Sequence, residues 1–393
     1  MRPAEPVLIC ALSGRALAQS AQAAGYAPIV LDAFADLDTR AAAHAWCRIP
    51  VDPSWRLHRG ALLAAARRLA PPPIPLVWGS GFERVPDLLA ELAEGRELLG
   101  NPAGMVRTIK DPSAWREMTA ALDIAHPEIR LARPADPTGW LCKRTGGAGG
   151  AHVRRARHRP PRGRGWYWQR WSAGVPVSAL LLGSGGDARV LAMGQQITAP
   201  LPGRRYRFAG MVVPAGISPT AGRTLERAAL ALAAHCRLQG LASVDGLVAG
   251  DAVRVLELNP RPGGSLDAYG AALGRNLFAL HVAACRDRTL PEPQATIVAS
   301  GSLIAFADRT VAVPASFAWA DWTADRTPGG TLVRRGGPIC TVLAQGADTD
   351  QLEGLLRARA EAVGTSIRGA SAPCGPAAVR YDVGMMTYSQ AAR

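Results

Sequence analysis

Near the middle of the chain three oxygen-bearing side chains stand at strand spacing. Glu257 and Asn259 lie two apart in VLELNPRPGG, so a strand would turn both to one face. Asp245, in the preceding run SVDGLV, can come opposite them if the chain reverses at Ala249-Gly250-Asp251 into an antiparallel hairpin. Carboxylate and amide oxygens on a rigid hairpin suit Mg²⁺, which takes one or two carboxylates and completes its shell with phosphate oxygens and water. Arg261 follows just beyond the strand, and the glycines after it leave room for a phosphate to approach. A solvated sheet face followed by a turn is the alternative. The joint presence of Asp245 and Asn-Pro-Arg-Pro-Gly-Gly favours the metal.

A second segment, LCKRTGGAGGAHV, sets Lys143 at a strand end before a glycine loop, Gly146, Gly147, Gly149 and Gly150. Backbone N–H groups free of side chains can cradle phosphates, and a lysine supplies a point charge. The order differs from a Walker loop, where the lysine follows the glycines. By itself the segment reads better as a flexible linker beside an exposed lysine. No Ser-His-Asp or Cys-His set is evident, and the seven histidines are scattered, each read as a surface or structural residue.

The elements around these residues follow from periodicity. PVLICAL, APIVLDAF and IPLVWGSGFE read as strands, with a helix between the first two, which indicates a small doubly wound parallel domain over residues 1–105. Ser13-Gly14-Arg15 lacks the dinucleotide-binding glycine pattern and reads as an ordinary turn. Asp111 and Pro112 mark a helix start. The run from GWYWQRW to GQQI reads as three short antiparallel strands, SPTAGRTLERAALALAAHCRLQG as a long amphipathic helix, and LDAYGAALGRNLFALHVAACR as helical. Pro291 and Pro293 mark a linker; beyond them come short strands, one helix over 349–363 and a polar tail.

The chain has 393 residues, enough for two or three domains, and its 45 Lys and Arg against 31 Asp and Glu give a formal charge of +14. An Arg-rich coding bias explains most of this surplus, which still favours anionic ligands. Seven single cysteines without zinc spacing fit reduced thiols. No apolar run suits a membrane span or a secretory core, so a soluble cytoplasmic protein without membrane partners is expected. The basic stretch 154–165 with the following aromatics raises nucleic-acid binding, but one loop is too short for a footprint, and a solvated loop is preferred.

Lysine then glycine loop, antiparallel sheet, then Asp…Glu-x-Asn-Pro-Arg resembles the ATP-grasp superfamily of ATP-dependent ligases. More narrowly, VWGSGFERVPDLL, ELLGNPAGMV and WYWQRWSAGVPVSALLL resemble a group of ATP-dependent carboligases found with methanopterin- and methanofuran-linked one-carbon metabolism. The resemblance implies an α/β and α+β architecture. A Rossmann-like domain (1–105) precedes a two-lobed ATP-grasp domain (106–290, lobes about 106–175 and 176–290), and a small β-rich domain like that of biotin carboxylases closes the chain (291–393). It implies ATP with one or two Mg²⁺ (Mn²⁺ able to substitute), held by Asp245, Glu257 and Asn259. Arg261 would meet the transferred phosphoryl group, and Lys143 and the loop Gly146–Gly150 the other phosphates. Gln169 would accept from the adenine amino group, in place of the family's usual Glu, and the backbone at Ser172 would bond the ring. Lys110 would serve as the earlier lysine, although the family's Asp-Lys order is reversed here. The activity implied is carboxylate–amine ligation through an acyl phosphate. A carboxylase-like enzyme making carboxyphosphate is the alternative, and an ATP-binding pseudoenzyme a third reading that the intact ligand set opposes. Small-molecule carboxylate and amine substrates are expected, with Glu83 and Arg15 as candidate contacts or structural salt bridges, and a homodimer is left open.

Overall fold

The computed structural model describes residues 3–156, 163 and 165–370. The first part is a parallel sheet of β1 (Pro6–Cys10), β2 (Ala27–Asp32), β3 (Ala45–Arg48), β4 (Leu76–Trp78) and β5 (Leu98–Leu99) in the order β3-β2-β1-β4-β5. Its strands are near-continuous apolar runs because α1 (Arg15–Ala23), α2 (Leu37–Ala42), α3 (Arg59–Leu69) and α4 (Pro86–Ala93) cover them. This is the doubly wound domain expected. Two helices then lead into the middle of the chain, α5 (Ala103–Lys110) and α6 (Pro112–Ala121). Asp111 caps α6, its carboxylate accepting from the N–H groups of Ser113 and Ala114.

A four-stranded antiparallel sheet follows, from β6 (Ile129–Arg130), β7 (Trp140–Arg144), β8 (Arg154–Arg155) and β9 (Trp166–Arg170), in the order β6-β9-β7-β8. The larger sheet contains β10 (Val175–Ser184), β11 (Ala188–Thr198), β12 (Phe208–Val213), β13 (Gln239–Ala249) and β14 (Ala252–Asn259). The long helix α7 (Pro219–Cys236) packs Leu225, Ala229 and Leu232 against it, and Ser218 caps its start. On the other side lie α8 (Leu266–Leu273) and α9 (Leu277–Arg286). The three strands expected between Trp166 and Ile197 are not one short antiparallel set. β9 belongs to the smaller sheet, whereas β10 and β11 run 10 and 11 residues in the larger one. The four residues 171–174 are therefore the connection between the two sheets.

The remaining elements are β15 (Ala299–Phe306), β16 (Val311–Ala312), β17 (Thr323–Ala324), β18 (Leu332–Val333), β19 (Pro338–Gly346) and α10 (Thr349–Ala370). Apart from the small pair β16-β18, these strands continue the larger sheet, which runs β14-β13-β10-β11-β12-β15-β19-β17 among the described residues. Residues 291–393 thus share a sheet with the middle of the chain through the pairing of β12 with β15. The helix expected over 349–363 extends to Ala370, because Ile367 continues the buried stripe of Leu352, Leu356 and Val363. The polar tail and most of the basic stretch 154–165 lie outside the described residues.

The first domain is tied to the rest by buried polar contacts. Arg15 spends its guanidinium on two carboxylates, Asp267 in α8 at 2.6 Å and Asp325 at 2.9 Å, and also bonds Gln19. It is a structural cation, not the substrate contact considered above. Beside it lies Asp36, which is 2 % exposed. One Asp36 oxygen caps α2 by accepting from Thr39 N–H at 2.7 Å, while its other oxygen has no partner. Burial and the neighbouring Asp325 carboxylate push the Asp36 carboxyl up to about 7. The folded value lies above the unfolded one, so the fold favours the protonated acid and loses stability as pH rises from about 4 through 7. Asp36→Asn keeps the cap acceptor and removes the charge. Thermal or urea unfolding should show it stabilised by about 1–3 kcal/mol at pH 8, with the gain vanishing near pH 4.

Candidate active site

The hairpin β13–β14 turns at Gly250-Asp251, where Gly250 takes φ +61°. From the turn outward the register is regular, Ala249 opposite Ala252 through Gly246 opposite Val255. A bulge then skips Leu256, so that Asp245 pairs with Glu257 and Ser243 with Asn259. Without the extra residue Asp245 would oppose Leu256 and point away from Glu257. The bulge is what gathers the acidic side chains on one face. Ser178, paired with Asp245 on β10, donates its hydroxyl to Asp245 Oδ1 at 2.6 Å, and Asn259 Nδ2 donates to Asp245 Oδ2 at 3.1 Å.

The cation in this set is Lys110. It ends α5 with its side chain only 7 % exposed, and its Nζ reaches Asn259 Oδ1 at 2.8 Å and Glu257 Oε2 at 3.3 Å. The solvated helix-start lysine considered as the alternative is thereby excluded. Burial acts to raise the Glu257 carboxyl, but Lys110 and Lys143 outweigh it and hold the group below the ordinary carboxylate range. Asp245 moves the other way, pushed up by burial and by the Glu257 charge. Two neighbouring carboxylates with one ammonium between oxygen donors form a set that a divalent cation would satisfy better than a lysine does. Among the described residues no three His, Cys, Asp or Glu side chains converge to hold a metal. Here the third protein donor is an amide, and further oxygens must come from water or a phosphate, as suits Mg²⁺.

Arg261 lies just past β14 and is buried. Its Nε donates to Glu83 Oε1 at 2.7 Å, and Gly81 N–H donates to Glu83 Oε2 at 2.8 Å. Burial would raise the Glu83 carboxyl, but Arg261 and Lys110 hold it below its usual range. Glu83 is therefore the partner that fixes Arg261. Asn101, wholly buried, pins the base of the hairpin to the first domain, donating to the carbonyls of Gln239 and Pro260 and accepting from Gln239 N–H.

On the smaller sheet Lys143 and Gln169 occupy neighbouring strands, with Lys143 Nζ on Gln169 Oε1 at 3.2 Å. Burial works against the Lys143 ammonium, but Tyr167, Glu257 and Asp245 outweigh it and raise its pKa. Gln169 is buried and its Nε2 has no partner. The expected role of its amide as an acceptor is revised, because the oxygen is engaged by Lys143 and the free group is the donor. The glycine loop is not a slack linker. A Cβ on Gly146 would stand 2.3 Å from the Glu83 carbonyl, and one on Gly150, at φ +68°, 1.8 Å from the Tyr206 carbonyl. Phe208 N–H donates to Gly149 O at 2.9 Å, which latches the loop to the start of β12. Gly147 packs against the His152 ring. Ser172 is half-buried in the connection between the sheets.

Two residues escaped the sequence reading. Ser178 could have been noticed as the polar residue inside the apolar strand VPVSALLL. His152, passed over as a surface or structural group, has its pKa pushed down to about 4 by burial and by Lys143, and its Nδ1 is without a partner. Nothing in its spacing marked it. His281, by contrast, is structural, its Nδ1 accepting from Leu241 N–H and its Nε2 bonded to Leu99 O.

Fold and site together define an ATP-grasp domain: residues 117–265 match the family model of that name. Solved structures extend the likeness over the chain. L-amino acid ligase from Bacillus licheniformis shares 16% identity, with 92% of this chain and 98% of that one covered at TM-score 0.66. N5-carboxyaminoimidazole synthetase from Staphylococcus aureus, solved with ADP, shares 15% over 92% of this chain and 98% of its own at TM-score 0.65. A single-chain long-chain acyl-CoA carboxylase shares 17% at TM-score 0.69, over 90% of this chain; the chain spans 39% of its length. These likenesses are of fold. No curated protein matches the chain. Among the described residues no helix is long and apolar enough to cross a membrane.

Proposed function

We propose that the chain is an ATP-dependent carboxylate–amine ligase that works through an acyl phosphate and releases ADP and phosphate. The observation that carries this reading is the bulged hairpin face, where Asp245, Glu257 and Asn259 surround the buried Lys110 ammonium. Asp245, Glu257 and Asn259 would hold one or two Mg²⁺, or Mn²⁺ in its place. The metal supplies charge neutralisation, without which a carboxylate attacking a triphosphate is anion meeting anion. Lys110 turns from Glu257 to phosphate oxygens when a dication satisfies that carboxylate. Lys143 holds the phosphates from the opposite sheet, and the latched glycine loop keeps water from them. Arg261, held by Glu83, faces the phosphoryl group in transfer and then the oxyanion formed when the amine attacks.

The finer reading comes from the motif resemblance to the carboligase group: synthesis of a methanopterin- or methylofuran-type one-carbon cofactor. It puts pterin and furan precursors, glutamate and tyramine-like amines first in a substrate screen. A second reading, with bicarbonate as the carboxylate, is favoured by the fold likeness to the acyl-CoA carboxylase and to the carboxyaminoimidazole synthetase. The screen measures ADP release and traps the acyl phosphate with hydroxylamine as a hydroxamate. ADP release should require carboxylate and amine together, fall to background in EDTA and return with Mg²⁺ or Mn²⁺. Strict dependence on bicarbonate would transfer the assignment to the second reading. Turnover unaffected by EDTA would rule out both.

A further inference from the structure

The amide of Gln169 is buried, 2 % exposed, with one end satisfied and the other not. Its Oε1 accepts from Lys143 Nζ at 3.2 Å and its Nε2 has no partner. The orientation is fixed by chemistry. Exchanging oxygen and nitrogen would set an NH₂ group against an ammonium, two donors facing each other. A buried donor without an acceptor costs stability, and such a group in a ligand cleft marks the place where an acceptor arrives. Gln169 lies one strand over from Lys143, the lysine proposed to hold phosphates, and immediately before the 171–174 connection, the backbone proposed to meet the base. An adenine placed between the two turns its N7/N6 edge toward the strand that carries Gln169. That edge offers an acceptor, N7, beside a donor, N6. The amide matches both: Nε2 donates to N7, and the second lone pair of Oε1 accepts from N6. A glutamate could only accept.

We propose that Gln169 is a specificity-determining residue that reads N7 of the purine through Nε2. The inference rests on the nucleotide reading above and refines it. Its test is a binding measurement that does not require turnover, isothermal titration of Mg–ATP and Mg–7-deaza-ATP into the wild-type protein and into Gln169→Glu. The substitution keeps the shape, removes the donor and gives Lys143 an ion-pair partner, so the fold should be retained. The wild type should bind 7-deaza-ATP about tenfold more weakly than ATP. In Gln169→Glu the two affinities should converge. Equal affinities in the wild type would overturn the proposal. A gap that persists in Gln169→Glu would overturn it too, and would assign N7 to another donor such as Lys143. Failure of the wild type to bind either nucleotide would remove the nucleotide reading together with this one.

Discussion

Glu257→Gln lowers ADP release about 10³-fold while the protein keeps its fold. The substitution is isosteric and touches no apolar packing, so circular dichroism and a cooperative melt should survive it. What it removes is one of the carboxylates that the bulge sets opposite Asp245, and the partner of Lys110 at 3.3 Å. Two further effects separate this from a general loss. The metal concentration for half-maximal activity should rise, since one anionic donor is gone. The pH dependence of stability should also change. Glu257 is held below its unfolded value, so it stabilises the wild-type fold above the ordinary carboxylate range, a contribution lost as pH falls through its folded pKa. Glu257→Gln should be the less stable protein at pH 7, with the gap closing in strong acid. Unchanged turnover in this variant would refute the metal assignment.

Arg261→Ala costs about 3–5 kcal/mol of stability, because it strands a carboxylate. The Glu83 side chain is 1 % exposed and that of Arg261 8 %. With the guanidinium gone, Glu83 keeps the Gly81 N–H and little else nearby. The double variant Glu83→Gln, Arg261→Ala should recover most of the lost stability, since no charge is then left unpaired. It should not recover activity. We expect kcat to stay about 10²–10³-fold down, the scale of one lost charge-stabilising donor at a reacting centre. A double variant that is both stable and active would reduce the pair to a fold clamp. Urea unfolding beside ADP release on the two variants makes the distinction.

The hairpin was legible in the sequence because side-chain period and turn chemistry are local properties. Glu257 and Asn259 share a face by spacing alone, and Gly250 takes the positive φ that a tight turn asks for. The bulge at Leu256 was not legible. A strict ladder counted from the turn puts Asp245 opposite Leu256, and only tertiary packing decides where an extra residue is accommodated. The doubly wound domain was readable from continuous apolar strands. The split between β9 and β10 was not, since strands that adjoin in sequence carry no mark of which sheet they join. Long-range pairs were hidden for the same reason: Glu83 with Arg261, Lys110 with Glu257 and Asn259, and Arg15 with Asp267 and Asp325 join residues far apart in the chain. Gln169 was located by resemblance, but which end of its amide is free depends on Lys143 and needed coordinates.

The most direct measurement is a crystal structure with Mn²⁺ and a non-hydrolysable ATP analogue, read by the anomalous signal of the manganese. The account predicts a peak bounded by Asp245, Glu257 and Asn259, with Lys110 Nζ moved onto a phosphate oxygen and Lys143 on the opposite side of the triphosphate. Manganese bound away from the hairpin, with Lys110 still seated on Glu257 and Asn259, would contradict it.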